Sequence, residues 1–224
     1  MILTNDCMCY ILCQGSRQLF YHMGLTTNTN NKPKYQFFDL GSGGGRLVIQ
    51  SHLELPSVIK SVGIELSPSR AKVATQTWEN IVQNGDAQRI RKLAESSMWG
   101  MEQSNDDYIS TATVELHEGD LFELDISHAT HMYVSSLCFS EDMLLRLVEK
   151  IEREGTSLQI VASLRLLPLV QKDNEQNDNT RIKQVTLGSD PWQEYVEMSW
   201  TKARGDGCPV YFYTVKTRND EPVK

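Results

Sequence analysis

From Tyr35 onward, short apolar runs alternate with amphipathic stretches at a regular spacing. Tyr35–Leu40 (YQFFDL) is an apolar run of strand length, followed by a glycine run over 41–45. Arg46–Leu53 has helical patterning and must stop before Pro56, because the residue ahead of a proline is pushed out of the helical region. Val58–Glu65 reads as a second strand. Ser67 and Pro68 have the chemistry of an N-cap and first helical position, and Gly85 that of a C-terminal stop, so a helix is predicted to about Asn84. This strand–helix–strand–helix order is the mark of a parallel α/β sheet.

The pattern continues less regularly. Residues 86–111 read as a polar insertion with a helix around Ala87–Ser96. Thr113–Glu118 and Met132–Leu137 are predicted as the third and fourth strands. Ser140 can cap a helix whose first turn carries Glu141 and Asp142, whose apolar residues Leu144, Val148 and Ile151 recur at helical spacing, and which Gly155 ends. Leu158–Ala162 is the fifth strand, and 171–184 a hydrated loop with Ile182 as its one core residue. Tyr195–Trp200 and Val210–Val215 read as an antiparallel hairpin around KARGDG. Ahead of all this, 16–23 can form a short helix and 26–34 a polar loop. The expected division is an N-terminal segment over 1–34 (a cofactor-closing loop and short helix), a folded domain over 35–216 and a polar tail over 217–224.

Composition narrows the class. Of 224 residues 40% are hydrophobic, enough for a core, and no apolar run reaches membrane-spanning length. A net charge of −7 argues against a chain-wide grip on nucleic acid, which needs clustered Lys and Arg. The five cysteines have no disulfide-scaffold spacing, so a reduced intracellular, soluble protein is expected. Cys7, Cys9, Cys13 and His22 fall short of a zinc set, and no metal site is expected. His117, His128 and His131 flank the third and fourth strands and read as rim histidines. Cys138 reads as a buried small residue, and Arg89-Ile90-Arg91-Lys92 as a solvated helix face.

The chemistry gathers at FFDLGSGGGRLVIQ, residues 37–50. Glycines between a strand and a helix let a ligand approach the backbone, and in open α/β sheets ligands sit at the carboxyl ends of strands. Glu65 ends the second strand, where a carboxylate can accept both ribose hydroxyls of a nucleoside. The dinucleotide fingerprint fails, because its third glycine is Arg46, and the Gly-Lys-Ser/Thr of a phosphate-binding loop is absent. An acidic start, Asp39, suits the cationic S-adenosylmethionine (SAM) better than a phosphate.

These residues resemble the class I SAM-dependent methyltransferases. Asp39–Gly45 is similar to their first motif, Val62–Glu65 to the second and Glu118–Leu121 to the third. The implied fold is α/β, a Rossmann-like sheet, mostly parallel with a C-terminal antiparallel hairpin. The implied SAM contacts are Asp39, Gly41, Ser42, Gly43, Gly45, Glu65, Leu66, Asp120, Leu121 and Ser135. A closer resemblance is to the histone-lysine methyltransferases of the disruptor-of-telomeric-silencing type. It is carried by GIELSPSRA (63–71), VSSLCF (134–139), Ser199-Trp200-Thr201 and Pro209-Val210-Tyr211-Phe212-Tyr213. Ser135 and Ser136 stand where that family has two asparagines, and Phe212 where it has the first of two tail tyrosines. Of its Tyr-Gly-Glu loop, which closes over the cofactor, only Gly15 is matched. The resemblance implies a lysine channel walled by Tyr133, Ser135, Phe139, Ser163, Trp200 and Phe212, a protein substrate such as a histone or nucleosome, and a nuclear location. A small-molecule methyltransferase, a non-histone protein substrate and an inactive SAM-binding module are the competing readings.

Overall fold

The computed structural model describes residues 11–26, 35–99, 112–169, 181–184, 186–187, 190–191, 193–198 and 207–216. The elements run α1 (Cys13–His22), β1 (Tyr35–Leu40), α2 (Arg46–Glu54), β2 (Val58–Glu65), α3 (Pro68–Gln83), α4 (Asp86–Trp99), β3 (Thr113–Glu118) and β4 (His131–Val134). Then follow α5 (Glu141–Glu154), β5 (Ile160–Ser163), β6 (Ile182–Gln184), β7 (Thr186–Leu187), β8 (Asp190–Pro191), β9 (Gln193–Val196) and β10 (Cys208–Val215). Strands β7 and β8 pair only with each other, and the rest form one eight-stranded sheet in the order β3-β2-β1-β4-β5-β10-β6, with β9 also on β10. The first five are parallel, while β10 is antiparallel to β5, β6 and β9. This is the mixed sheet expected from the sequence.

The strands alternate between two cores, as period-two geometry demands. Phe38, Leu40, Val62, Met132, Val134 and Tyr213 meet Leu144, Leu147 and Ile151 of α5 on one face. Phe37, Val58, Tyr133, Ala162 and Phe212 meet Leu19 and Phe20 of α1 and Leu47 of α2 on the other. Helix α5 begins as its sequence demands, with Ser140 Oγ accepting from the Met143 N–H at 3.3 Å. Helix α3 ends at Asn84 and the left-handed Gly85 (φ 72°).

Several local expectations are corrected. The N-terminal helix begins at Cys13 and is no loose appendage: it shares the α2-side core and is tied to α2 by a two-pronged Arg17–Glu54 pair at 2.8 Å. Gly15 lies inside α1, where a Cβ would stand 2.0 Å from the Glu197 carbonyl oxygen, so it serves helix–strand contact and is not part of a closing loop. The fourth strand stops at Val134 and the fifth runs to Ser163, because the chain turns sharply at Ser135 and Ser136. Ile182–Gln184 is a strand and not loop. Its anchor is the buried Arg181, which donates to backbone carbonyls of Glu152, Gly155 and Lys216. Arg91 is also buried, donating to the carbonyls of His52, Pro56 and Val58, which leaves Arg89 and Lys92 alone as the solvated part of that cluster. His131 is buried and packed edge-on to Tyr35, whereas Cys138 is exposed. Trp200, the KARGDG turn up to Asp206, Cys7 and Cys9 lie outside the described residues.

Candidate active site

Chain order places the topological switch between β1 and β4: β2 and β3 build outward on one side, β4 and β5 on the other. The crevice above the carboxyl ends of β1 and β4 is where such sheets bind ligands. The glycine loop occupies that place, held down by the Gly41 and Ser42 N–H groups donating to the Ile64 carbonyl at 2.9 and 3.0 Å. Gly45, at φ 74°, lets α2 begin against α3: a Cβ there would lie 2.8 Å from Ala74 Cβ and 3.2 Å from Leu116 Cδ2. Gly43 is also left-handed, at φ 56°, but a Cβ there would meet nothing within 4 Å. Its side is open space.

Two buried carboxylates flank this loop. Glu65, 4% exposed at the end of β2, receives four donors. Gly43 N–H reaches Oε2 at 2.8 Å. Ser67 N–H reaches Oε1 at 2.9 Å, and Arg70 reaches it through Nε at 3.1 Å and Nη2 at 2.7 Å. Asp39, 3% exposed, has an Oδ1 with no hydrogen-bond partner among the described residues. Burial, and secondarily the charge of Glu65, push the Asp39 carboxyl up to about 8. Tyr133 stands opposite it in the β1–β4 ladder, and its phenol is also pushed well upward by burial and by Asp39.

A buried acid lacking a partner is costly unless a donor or cation completes it. The site therefore fits a cationic ligand with hydroxyls: an unpartnered carboxylate, a glycine whose open side admits a close approach, and a second carboxylate at a strand end. Leu66 is exposed beyond Glu65, and Leu121 is 9% exposed at the end of the β3 loop. These two give apolar surface beside the crevice. Asp120 folds its Oδ1 back onto the Phe122 N–H at 2.9 Å. Ser135 is half-buried, its N–H bound to the Leu40 carbonyl at 3.1 Å, and a Cβ on Gly41 would sit 3.6 Å from its own Cβ.

The residues expected to wall a substrate channel are placed less uniformly. Tyr133 and Phe212 are buried in the α2-side core, on one row across the sheet with Asp39 and Ala162. Phe139 packs against the opposite core. Ser163 is fully buried, its hydroxyl 2.8 Å from that of Ser136, which also accepts from the Arg165 N–H at 2.9 Å. So Tyr133 and Phe212 lie in the α2-side core, while Phe139, in the connection between β4 and α5, packs on the other side of the sheet. Sequence reasoning missed an open cleft of about 460 Å³ beyond Ser163, lined by Glu141, Leu164, Arg165, Leu167, Pro168 and Tyr211. The apolar run after β5 (LRLLPL) was its only signal.

Comparison with known proteins agrees with this geometry. The chain is similar in structure to the magnesium protoporphyrin IX methyltransferase ChlM from Synechocystis PCC 6803 with bound SAM, at a TM-score of 0.52 and 8% identity, over 90% of this chain and 79% of that one. A weaker likeness is to an RNA methyltransferase from Salinibacter ruber in complex with S-adenosyl-L-homocysteine, at 0.45 and 20%, over 93% of each chain. At 8% identity the first of these shows the Rossmann-like methyltransferase fold alone. No curated protein matches the sequence. The family model described as histone methylation protein DOT1 matches residues 18–215, from within α1 to the last residue of β10. With the match spanning the glycine loop, both carboxylates and the antiparallel β10, the chain belongs to the DOT1 family of histone methylation proteins and is a SAM-dependent methyltransferase.

Proposed function

We propose that the protein is a lysine N-methyltransferase acting on a histone in the nucleus, with SAM held by Asp39, the loop Gly41, Ser42, Gly43 and Gly45, Glu65, Leu66, Asp120, Leu121 and Ser135. The observation that carries the cofactor site is the unpartnered, buried Oδ1 of Asp39 beside the open side of Gly43. When bound, SAM supplies an electrophilic methyl group on a sulfonium sulfur. Asp39 offers it a negative counter-charge in a low-dielectric setting, and Glu65 offers acceptors for ribose hydroxyls. Leu66 and Leu121 supply apolar contact for a base.

The acceptor side lies at the carboxyl ends of β4 and β5. Ser135 and Ser163 stand there, with the cleft lined by Leu167 and Tyr211 next to them. Leu164, Leu167 and Pro168 offer apolar contact to the stem of a lysine, while Glu141 and Arg165 keep the opening polar. Tyr133 and Phe212 support the floor of the site from the α2-side core. The cleft is open among the described residues, which favours an extended protein segment over a small molecule enclosed in a pocket. A net charge of −7 suits a strongly basic partner such as a histone better than DNA.

The test is transfer of labelled methyl from SAM to nucleosomes, free core histones and a total protein extract, with Glu65→Ala as the blank. Label on a histone lysine supports the proposal. Label solely on another protein keeps the enzyme class and removes the chromatin substrate.

A further inference from the structure

We infer that Arg70 is the residue that sets how tightly this protein holds its cofactor, because its guanidinium occupies the seat on Glu65 that the ribose must take. This rests on the reading of Glu65 as the ribose acceptor. An ionised carboxylate has about four lone-pair sites for hydrogen bonds. Oε1 is saturated by Ser67 N–H and two Arg70 N–H groups, while Oε2 carries Gly43 N–H alone and keeps one site. A ribose diol that donates to both oxygens can reach Oε1 only after a donor leaves it.

Three features identify which donor leaves. Gly43 N–H belongs to the glycine loop, which two backbone hydrogen bonds to Ile64 fix in place. Ser67 N–H stands at the start of α3, whose fold depends on that turn. Arg70 is the remaining donor, and it alone donates through a side chain. That side chain is 48% exposed, while the carboxylate it grips is 5% exposed. It can swing into water with no backbone change, and water solvates its charge when it does. Both of its bonds leave together, which opens a site on Oε1 beside the one on Oε2, the pair that a ribose diol requires.

Arg70 is thus a competing internal ligand. The free protein keeps its buried carboxylate neutralised by Arg70, and the nucleoside exchanges two hydroxyl donors for two guanidinium donors. The exchange lowers affinity for SAM and for its demethylated product alike, and it speeds product departure, because the guanidinium returns to the vacated seat. Arg70 is a positioning residue on this account, acting through Glu65 and never on the transferred methyl.

Calorimetric titration of S-adenosylhomocysteine into wild-type protein, Arg70→Ala and Arg70→Gln tests the inference, with its 2′,3′-dideoxy analogue as the second ligand. Removal of a half-exposed ion pair that opposes binding is expected to tighten the natural ligand about two- to fivefold. Dissociation, followed by stopped flow, should slow by a similar factor. The dideoxy analogue, with no diol to compete for the seat, should bind all three proteins equally. Arg70 variants that bind S-adenosylhomocysteine no tighter than wild type, or that tighten both ligands alike, overturn the inference. A Glu65→Gln control separates the two layers. If it binds as well as wild type, the ribose reading of Glu65 falls and the inference with it. If it binds poorly while the Arg70 variants match wild type, the inference alone falls.

Discussion

Asp39 of β1 and Tyr133 of β4 face each other across the ladder at the switch point, two buried acids on the same face of the sheet. Burial, and secondarily the charge of Glu65, keeps Asp39 protonated at pH values where an ordinary aspartate is ionised. Between its ordinary 3.8 and its folded value of about 8, the folded chain holds a proton that the unfolded chain has lost. Stability of the ligand-free protein is therefore expected to fall as pH rises through that interval and to level off above it. Asp39→Asn should flatten this slope in thermal denaturation. A slope that survives the substitution assigns the effect to another group.

The same proton governs the cofactor. A bound cation favours the ionised carboxylate, so SAM affinity should climb with pH below about 8 and then plateau, at most about tenfold per unit. Titration calorimetry in buffers of different ionisation enthalpy would show protons released on binding. Equal heats in all buffers at pH 7 would remove Asp39 as the counter-charge.

Glu65→Gln keeps the shape of the residue and removes its charge. The loss of charge-assisted hydrogen bonds to the ribose should weaken SAM roughly ten- to a hundredfold, with methyl transfer falling in parallel. Wild-type affinity in this variant would move the ribose elsewhere in the crevice.

Gly43→Ala and Gly45→Ala should separate binding from folding. At Gly45 a methyl collides with Ala74 and Leu116 and the backbone is left-handed, so about 2–4 kcal/mol of stability should be lost. At Gly43 only the backbone penalty applies, about 1 kcal/mol, but the methyl enters the open side where the cofactor would approach. Denaturant melts and SAM titrations on both variants should give opposite rankings. Identical rankings would mean that Gly43 is not at the cofactor surface.

Arg91→Leu should cost about 3 kcal/mol, because the carbonyls of His52, Pro56 and Val58 lose a shared donor at the junction of α2 and β2. Its melting temperature checks this, and Arg91→Lys should recover part of the loss.

The sheet was legible in the sequence where apolar runs were bounded by glycine, proline or a cap: β1, β2, β3, α3 and α5 fall within a residue or two of expectation. So was the crevice, since Asp39, the glycines and Glu65 are adjacent to strand ends by local geometry alone. Two kinds of feature were not legible. Arg91 and Arg181 look like surface cations because nothing local announces the distant carbonyls they satisfy. The channel residues were grouped by resemblance, and the structure puts Tyr133 in the α2-side core and Phe139, beyond the end of β4, against the opposite one. The occupation of Glu65 by Arg70 was equally hidden. A carboxylate five residues ahead of an arginine is common, and only three dimensions show that its Oε1 is saturated.

Strand β10 lies between β5 and β6, although it is the last strand among the described residues. During synthesis, then, β5 offers a bare edge and β6 has no neighbour in the main sheet until residue 215 has left the ribosome. A nascent chain stopped short of Cys208 would carry an exposed β-edge, a template for pairing with other chains. Shielding by chaperones before release is thus a demand of the topology itself. Truncation ahead of Cys208 should yield aggregates rather than a slightly weakened enzyme.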